Sequence, residues 1–237
     1  MASTRVVLLH GLCRTARSMR LMAACLESAG FAVSNVDYAS RSATVEELAE
    51  SVVGGILAGV TDPVCFVTHS MGGILVRLYG DRHPEAKIGR VVMLGPPNQG
   101  SEVVDHLKHW WLFQRLNGPA GQQLGTDEQS VPLRIGRPHF PVGVIAGCIS
   151  INRINSLMID GPDDGKVSVA RTHLEGMHDH IVLRTSHPFM MKNPEAIRQA
   201  LVFLREGRFD RSSPKVLTFA DTRCPKWREA ARSDSKD

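Results

Sequence analysis

Closely spaced cysteine pairs are missing from this chain. Cys13, Cys25, Cys65, Cys148 and Cys224 are an odd number with no Cys-x-x-Cys spacing, which argues against a zinc ribbon and a thioredoxin-type redox pair; neither a metal nor a cofactor is expected. Three of the five fall inside strand or helix patterns, as small buried residues do. A long apolar run is missing as well. Nothing approaches the ~18 consecutive apolar residues of a membrane span, so no stable membrane insertion is expected. No charged segment, apolar stretch and cleavage site precede the first strand pattern, which starts almost at once. With the unpaired thiols, this favours a cytoplasmic location, a leader already removed being the alternative.

Strong charge of one sign is also absent. The 237 residues hold 28 Lys and Arg against 24 Asp and Glu, a formal net charge of +4. Much of that excess sits in residues 211–237, with seven Lys or Arg against four Asp or Glu, a basic tail expected to be flexible and solvated. The body lacks the clustered charge that tracks phosphates, so no nucleic-acid partner is expected. Internal repeats are absent, and no pattern speaks to oligomeric state.

What is present is a core. With 43% apolar side chains, the chain can bury one sizeable interior, and a single domain over residues 1–210 is expected. Strand and helix patterns alternate from the start, which points to crossover units on a parallel sheet and hence to an α/β fold. Val6-Val7-Leu8-Leu9 reads as a buried strand. Met19, Met22, Ala23 and Leu26 follow at helical spacing, with Gly30 as a stop. Residues 31–36 form the next strand. Thr44-Val45-Glu46-Glu47 is a capping box, opening a helix whose apolar stripe is Val45, Leu48, Ala49, Val52 and Ile56. Further strands are expected at residues 64–67, 88–94, 141–147 and 180–184. Asn193 and Pro194 open a last helix that buries Ile197, Leu201 and Leu204 and stops at Gly207. Between the strands, residues 96–138 are an irregular insertion containing Trp110-Trp111-Leu112-Phe113.

Thr68-His69-Ser70-Met71-Gly72-Gly73 stands between a buried strand and the helical run Ile74-Leu75-Val76-Arg77-Leu78-Tyr79. A serine at such a turn has its hydroxyl thrust out of the chain beside the unpaired N–H groups of the helix start, which is the geometry of a nucleophile. Gly72 fits the Gly-x-Ser-x-Gly elbow, whereas Thr68 replaces the first glycine, and Gly73 supplies extra room. Sixty residues earlier, His10-Gly11-Leu12 closes the first strand. His10 is expected to organise that loop rather than act as an acid or base.

These segments resemble the α/β-hydrolase family, in particular its small serine lipases and esterases, and the likeness extends over residues 5–208. The resemblance implies about six parallel strands with helices on both faces and a small cap formed by the insertion. It implies an oxyanion hole from the backbone amides of Leu12 and Met71, and triad partners in the order Ser, acid, His. Asp164, in the Asp163-Asp164-Gly165-Lys166-Val167 turn, aligns with the acid; Asp163 is the reserve, and Asp160 a third competitor. His187, between the last strand and the last helix, occupies the position of the base, whereas His173, His178 and His180 are expected to be solvated. Trp110, Trp111 and Phe113 of the cap are candidates to line an acyl channel. The activity implied is hydrolysis of carboxylic esters, from small molecules or lipids, with short to medium acyl chains. The alternatives are an acyltransferase using the same triad and a non-catalytic protein that keeps the fold.

Overall fold

Val7 and Leu9 lie in one apolar cluster and Val6 and Leu8 in another, as the alternation of side chains along a strand requires; a strand apolar on both faces must be covered on both. The computed structural model, which describes residues 3–151 and 153–217, builds that arrangement. Strands β1 (Arg5–Leu9), β2 (Ala32–Val36), β3 (Val64–His69), β4 (Ile88–Leu94), β5 (Val142–Gly147) and β6 (Asp179–Leu183) pair in parallel in the order β2-β1-β3-β4-β5-β6. A short β7 (Val216–Leu217) adds to β6 in the antiparallel sense.

The supposed tail therefore begins as part of the sheet. Arg211 donates to both oxygens of the Asp179 carboxylate, at 2.5 and 3.1 Å; residues 218–237 lie outside the described residues.

One face of the sheet packs on the helices Arg20–Ser28 and Pro194–Glu206. The last helix opens and closes as its sequence dictates: Asn193 Oδ1 accepts from the backbone N–H groups of Glu195 and Ala196, and Gly207 takes the left-handed conformation at φ 76°. The other face packs on the helix Met71–Arg82 and on the segment opened by Thr44, whose capping box is formed in both directions. That segment runs through Val45–Leu48, a π-helical stretch Ala49–Gly54 and a last turn Gly55–Leu57. The wider π turn advances the buried stripe by one residue. Val53 and Leu57 thus enter the core in place of the expected Val52 and Ile56, which are half-buried.

Residues 96–138 carry three helices, Glu102–Leu107, Trp111–Gln122 and Val131–Arg134. Their attachment runs through Arg77, a charged residue in the buried middle of the helix Met71–Arg82. Its guanidinium is buried and donates to the backbone and side-chain oxygens of Asn98 and to the carbonyls of Pro132 and Ile135. Burial lowers its pKa to about 10, against a smaller opposing effect of the Asp81 carboxylate. The carboxyl ends of β1, β3, β4 and β5 thus face one rim, and the insertion stands over it.

Candidate active site

Ser70 follows the last residue of β3 and precedes the helix Met71–Arg82, at φ 53° and ψ −123°. A non-glycine residue at positive φ is strained and persists only where its surroundings hold it. Here they do: Ser70 N–H donates to Leu94 O at 2.8 Å, and Gly73 N–H donates to Ser70 O at 3.0 Å. A Cβ on Gly72 would stand 2.8 Å from Leu9 O, and one on Gly11 3.0 Å from Ser70 Cβ, so both glycines are close-approach positions. Thr68 is accommodated for the same reason. A Cβ on Gly73 would lie 3.1 Å from Thr68 Oγ1, so the glycine at position 73 supplies the space the threonine occupies.

The acid and the base arrive on loops after β5 and β6. His187 Nδ1 lies 2.7 Å from Asp164 Oδ2, with both side chains buried; an ionised carboxylate only accepts, so Nδ1–H is the donor and Nε2 is left bare. The other oxygen, Asp164 Oδ1, accepts from the N–H groups of Lys166 and Val167 at 3.0 and 2.9 Å. His187 is also fixed through its main chain, its N–H on Asp164 O at 2.9 Å and its carbonyl on His69 Nε2 at 3.0 Å. Asp163 shapes the turn instead, where its Oδ1 accepts from Ser156 Oγ and from the Gly165 N–H.

Two neighbours of this pair carry no catalytic signature in the sequence. His69 packs its ring 4.6 Å from that of His187, and burial together with the nearby His187, Arg14 and Lys166 holds it well below its ordinary pKa. It is a neutral donor to the His187 carbonyl. Gly95, at φ 53°, lets the chain pass where a Cβ would stand 2.9 Å from Asp164 Oδ2 and 3.1 Å from His187 Nδ1. A His in an elbow and a Gly closing a strand are the available signals, and each is too common to be diagnostic alone.

His10 organises its loop. Its Nδ1–H donates to Gly11 O, its Nε2 accepts from Tyr38 N–H, its carbonyl accepts from Tyr38 Oη, and its ring stacks on Tyr38 at 4.2 Å; burial lowers its pKa. The next residues, Leu12 and a left-handed Cys13 at φ 56°, turn the loop beside Ser70. Met71 opens the elbow helix, where the first N–H groups have no intrahelical acceptor.

Ser70 and Leu12 line one cavity of about 180 Å³, walled by Val103, Val104, Leu107, Phe113 and Leu124 of the insertion and by Lys166 and Val167. Phe113 lines it; Trp110 and Trp111 do not. They are 57% and 67% exposed. Phe113 and Asn117, one turn apart, both line the cavity, whereas residue 111, two positions before Phe113, points to the opposite side of the helix, and Trp110 precedes the helix as its extended N-cap. His180 also departs from its expected solvation. It is half-buried with Nε2 2.9 Å from Thr172 Oγ1, and burial brings its pKa down to about 4.

A family model described as "Alpha/beta hydrolase family" matches residues 6–142, more than half of the chain. The chain belongs to the alpha/beta hydrolase family. Members of known structure superpose on it at low identity. A lipase from Bacillus licheniformis, BlEst2 in its mature form, is 19% identical with a TM-score of 0.68 over 86% of this chain and 91% of its own. Phospholipase PlaB from Legionella pneumophila is 16% identical with a TM-score of 0.66, over 88% of this chain and 60% of its own. A metagenomic carboxyl esterase is 19% identical with a TM-score of 0.62, over 79% and 65%. This chain thus spans less than two thirds of the phospholipase and of the esterase. No curated protein matches it in sequence. Among the described residues no helix is long and apolar enough to cross a membrane.

Proposed function

We propose that the protein hydrolyses carboxylic esters through an acyl-enzyme on Ser70. The observation that carries this is the buried 2.7 Å bond between His187 Nδ1 and Asp164 Oδ2 at the rim that holds Ser70 in its strained turn. With Nδ1–H committed to the carboxylate, the bare Nε2 takes the proton of Ser70 Oγ as that oxygen bonds to the ester carbonyl carbon. Asp164 keeps the tautomer and stabilises the imidazolium. The backbone N–H groups of Leu12 and Met71 receive the oxyanion, an interaction worth about 10²–10³ in kcat for each donor in comparable sites. His187 then returns the proton to the leaving alkoxide, the acyl carbon–oxygen bond breaks, and water repeats the sequence on the acyl-enzyme.

The acyl group enters the cavity walled by Val104, Leu107 and Phe113. At about 180 Å³ it is small beside the roughly 300–1,000 Å³ of ordinary ligand pockets, which favours short acyl chains. The test is hydrolysis of p-nitrophenyl esters of increasing length. Ser70→Ala is expected to cost about three or more orders of magnitude in kcat on the butyrate, and kcat/KM is expected to fall from short to long chains. Parent-like turnover by Ser70→Ala overturns the mechanism, and a steady rise to long chains overturns the acyl assignment.

A further inference from the structure

A second, open cavity of about 520 Å³ lies beside the candidate active site and shares no lining residue with the acyl cavity. Its walls are the segment that follows Leu12, with Arg14 and Arg17, and the segment that follows His187, with Pro188, Phe189, Met191 and Lys192. Three cations line it and no acid does. A neighbouring groove shares Arg14 and adds Arg41, Arg115 and a single acid, Asp37, whose carboxylate already accepts from Ala16 N–H and faces His10.

What marks this wall is that three cations share one cavity with no acid among its lining residues. Arg82, Arg134, Arg137, Arg171, Arg198 and Arg211 each lie against a carboxylate. Arg14, Arg17 and Lys192 have none among the described residues. Cations gathered without counter-ions repel one another and concentrate a positive potential that an anion relieves. These residues are scattered through the sequence, and folding brings them to one wall.

The position selects which part of an ester that anion belongs to. The cavity walled mainly by apolar residues of the insertion takes the acyl chain, so the alcohol lies on the other side of the scissile bond. That alcohol must be within reach of His187, which protonates it, and the basic cavity starts at the residue after His187. We infer that Arg14, Arg17 and Lys192 bind the anionic group of the leaving alcohol, so that the substrates are short acyl esters of a phosphate-bearing alcohol. This rests on the site being an ester hydrolase. Phosphate fits better than a carboxylate because three cations balance a dianion, and arginine presents paired donors to its oxygens. Phe189 and Met191 supply apolar contact for the carbon skeleton between phosphate and ester. When the acyl bond breaks, the His187 proton ends on the phosphate-bearing alcohol, which leaves intact.

The test compares 1-butyrylglycerol 3-phosphate with 1-butyrylglycerol, which differ only in the phosphate. The ratio of their kcat/KM values is expected to favour the phosphate ester by about tenfold or more at low ionic strength and to shrink at high salt. It is expected to fall about tenfold in the Arg17→Gln/Lys192→Gln variant, whose fold is checked by its melting temperature. 1-Decanoylglycerol 3-phosphate separates the two sources: preference for the butyryl ester assigns a water-soluble phosphate ester, whereas preference for the decanoyl ester assigns a lipid and overturns the short-acyl part of the inference. Calorimetric titration of Ser70→Ala protein with glycerol 3-phosphate reads the anion site without turnover. Binding that the Arg17→Gln/Lys192→Gln pair abolishes sustains the anion site even where no ester is cleaved, a result that would sink only the hydrolase reading. A ratio near one in the parent protein, insensitive to salt and to the two substitutions, overturns the inference while leaving ester hydrolysis standing.

Discussion

The two sides of Ser70 are held in different ways. On the sheet side, both Asp164 oxygens have donors, His187 is fixed through its side chain and at both ends of its main chain, and His69 locks the carbonyl. On the insertion side, Trp110, Trp111 and Leu116 stand half or more in solvent, and the helix Trp111–Gln122 is interrupted at Gly118, with φ 65° and ψ −171°. Groups that move protons need positions fixed to fractions of an ångström, which strand ends provide, whereas a wall that excludes water tolerates looser packing. Damage to activity should therefore concentrate on the sheet side, and damage to selectivity on the insertion.

The largest expected effect comes from Asp164→Asn. The amide keeps the size of the side chain and an oxygen for the turn, but it can hold His187 in the wrong tautomer. A fall of about 10³–10⁴ in kcat with a parent-like melting curve is expected, measured on p-nitrophenyl butyrate. A fall of less than about tenfold would erase the contrast between the two sides.

Acid should strike the same side. His180 titrates at about 4 in the folded state and, like His69 and His10, is held below its unfolded value of 6.5. Between those values the unfolded chain binds more protons, so stability is complete above pH 6.5 and is lost as pH falls toward 4. His180 alone accounts for about 3 kcal/mol across that window. Denaturant unfolding at pH 7 and pH 4.5 measures the loss, and His180→Gln is expected to flatten it. A slope unchanged in that variant would remove His180 from the explanation.

Next is Gly95→Ala, which places a methyl against the Asp164–His187 bond. It is expected to lower kcat by about tenfold with little change in KM. Smallest are the insertion residues. Phe113→Ala should lower kcat/KM on short esters by a few-fold to about tenfold, and Trp110→Ala and Trp111→Ala by less than about twofold. Equal losses from Trp111 and Phe113 would contradict the placement of the acyl wall.

What the sequence discloses divides along the same line. Most of the six parallel strands are legible as apolar runs bounded by turn residues, β2 (Ala32–Val36) being the most polar of them, and the capping box at Thr44 and the Asn193-Pro194 start act over three or four residues. The ordered positions of Ser70, Asp164 and His187 can be named from resemblance, because each follows a strand. Features that depend on phase or on distant partners are not legible. A π turn at Ala49–Gly54 moves the buried stripe from Val52 and Ile56 to Val53 and Leu57. Half a helical turn separates Phe113, which lines the cavity with Ser70, from Trp111, which does not. The pairing of Val216–Leu217 with β6 requires a strand whose own composition reads as tail. Arg14, Arg17 and Lys192 become one surface only on folding.

The central claim is that Ser70 is activated by His187, and labelling by a fluorophosphonate probe tests it most directly. Mass spectrometry is expected to find one adduct per chain, on Ser70, formed at a rate that His187→Ala lowers by about three orders of magnitude or more. An adduct on another residue, or labelling of Ser70 at the parent rate in His187→Ala, would contradict it.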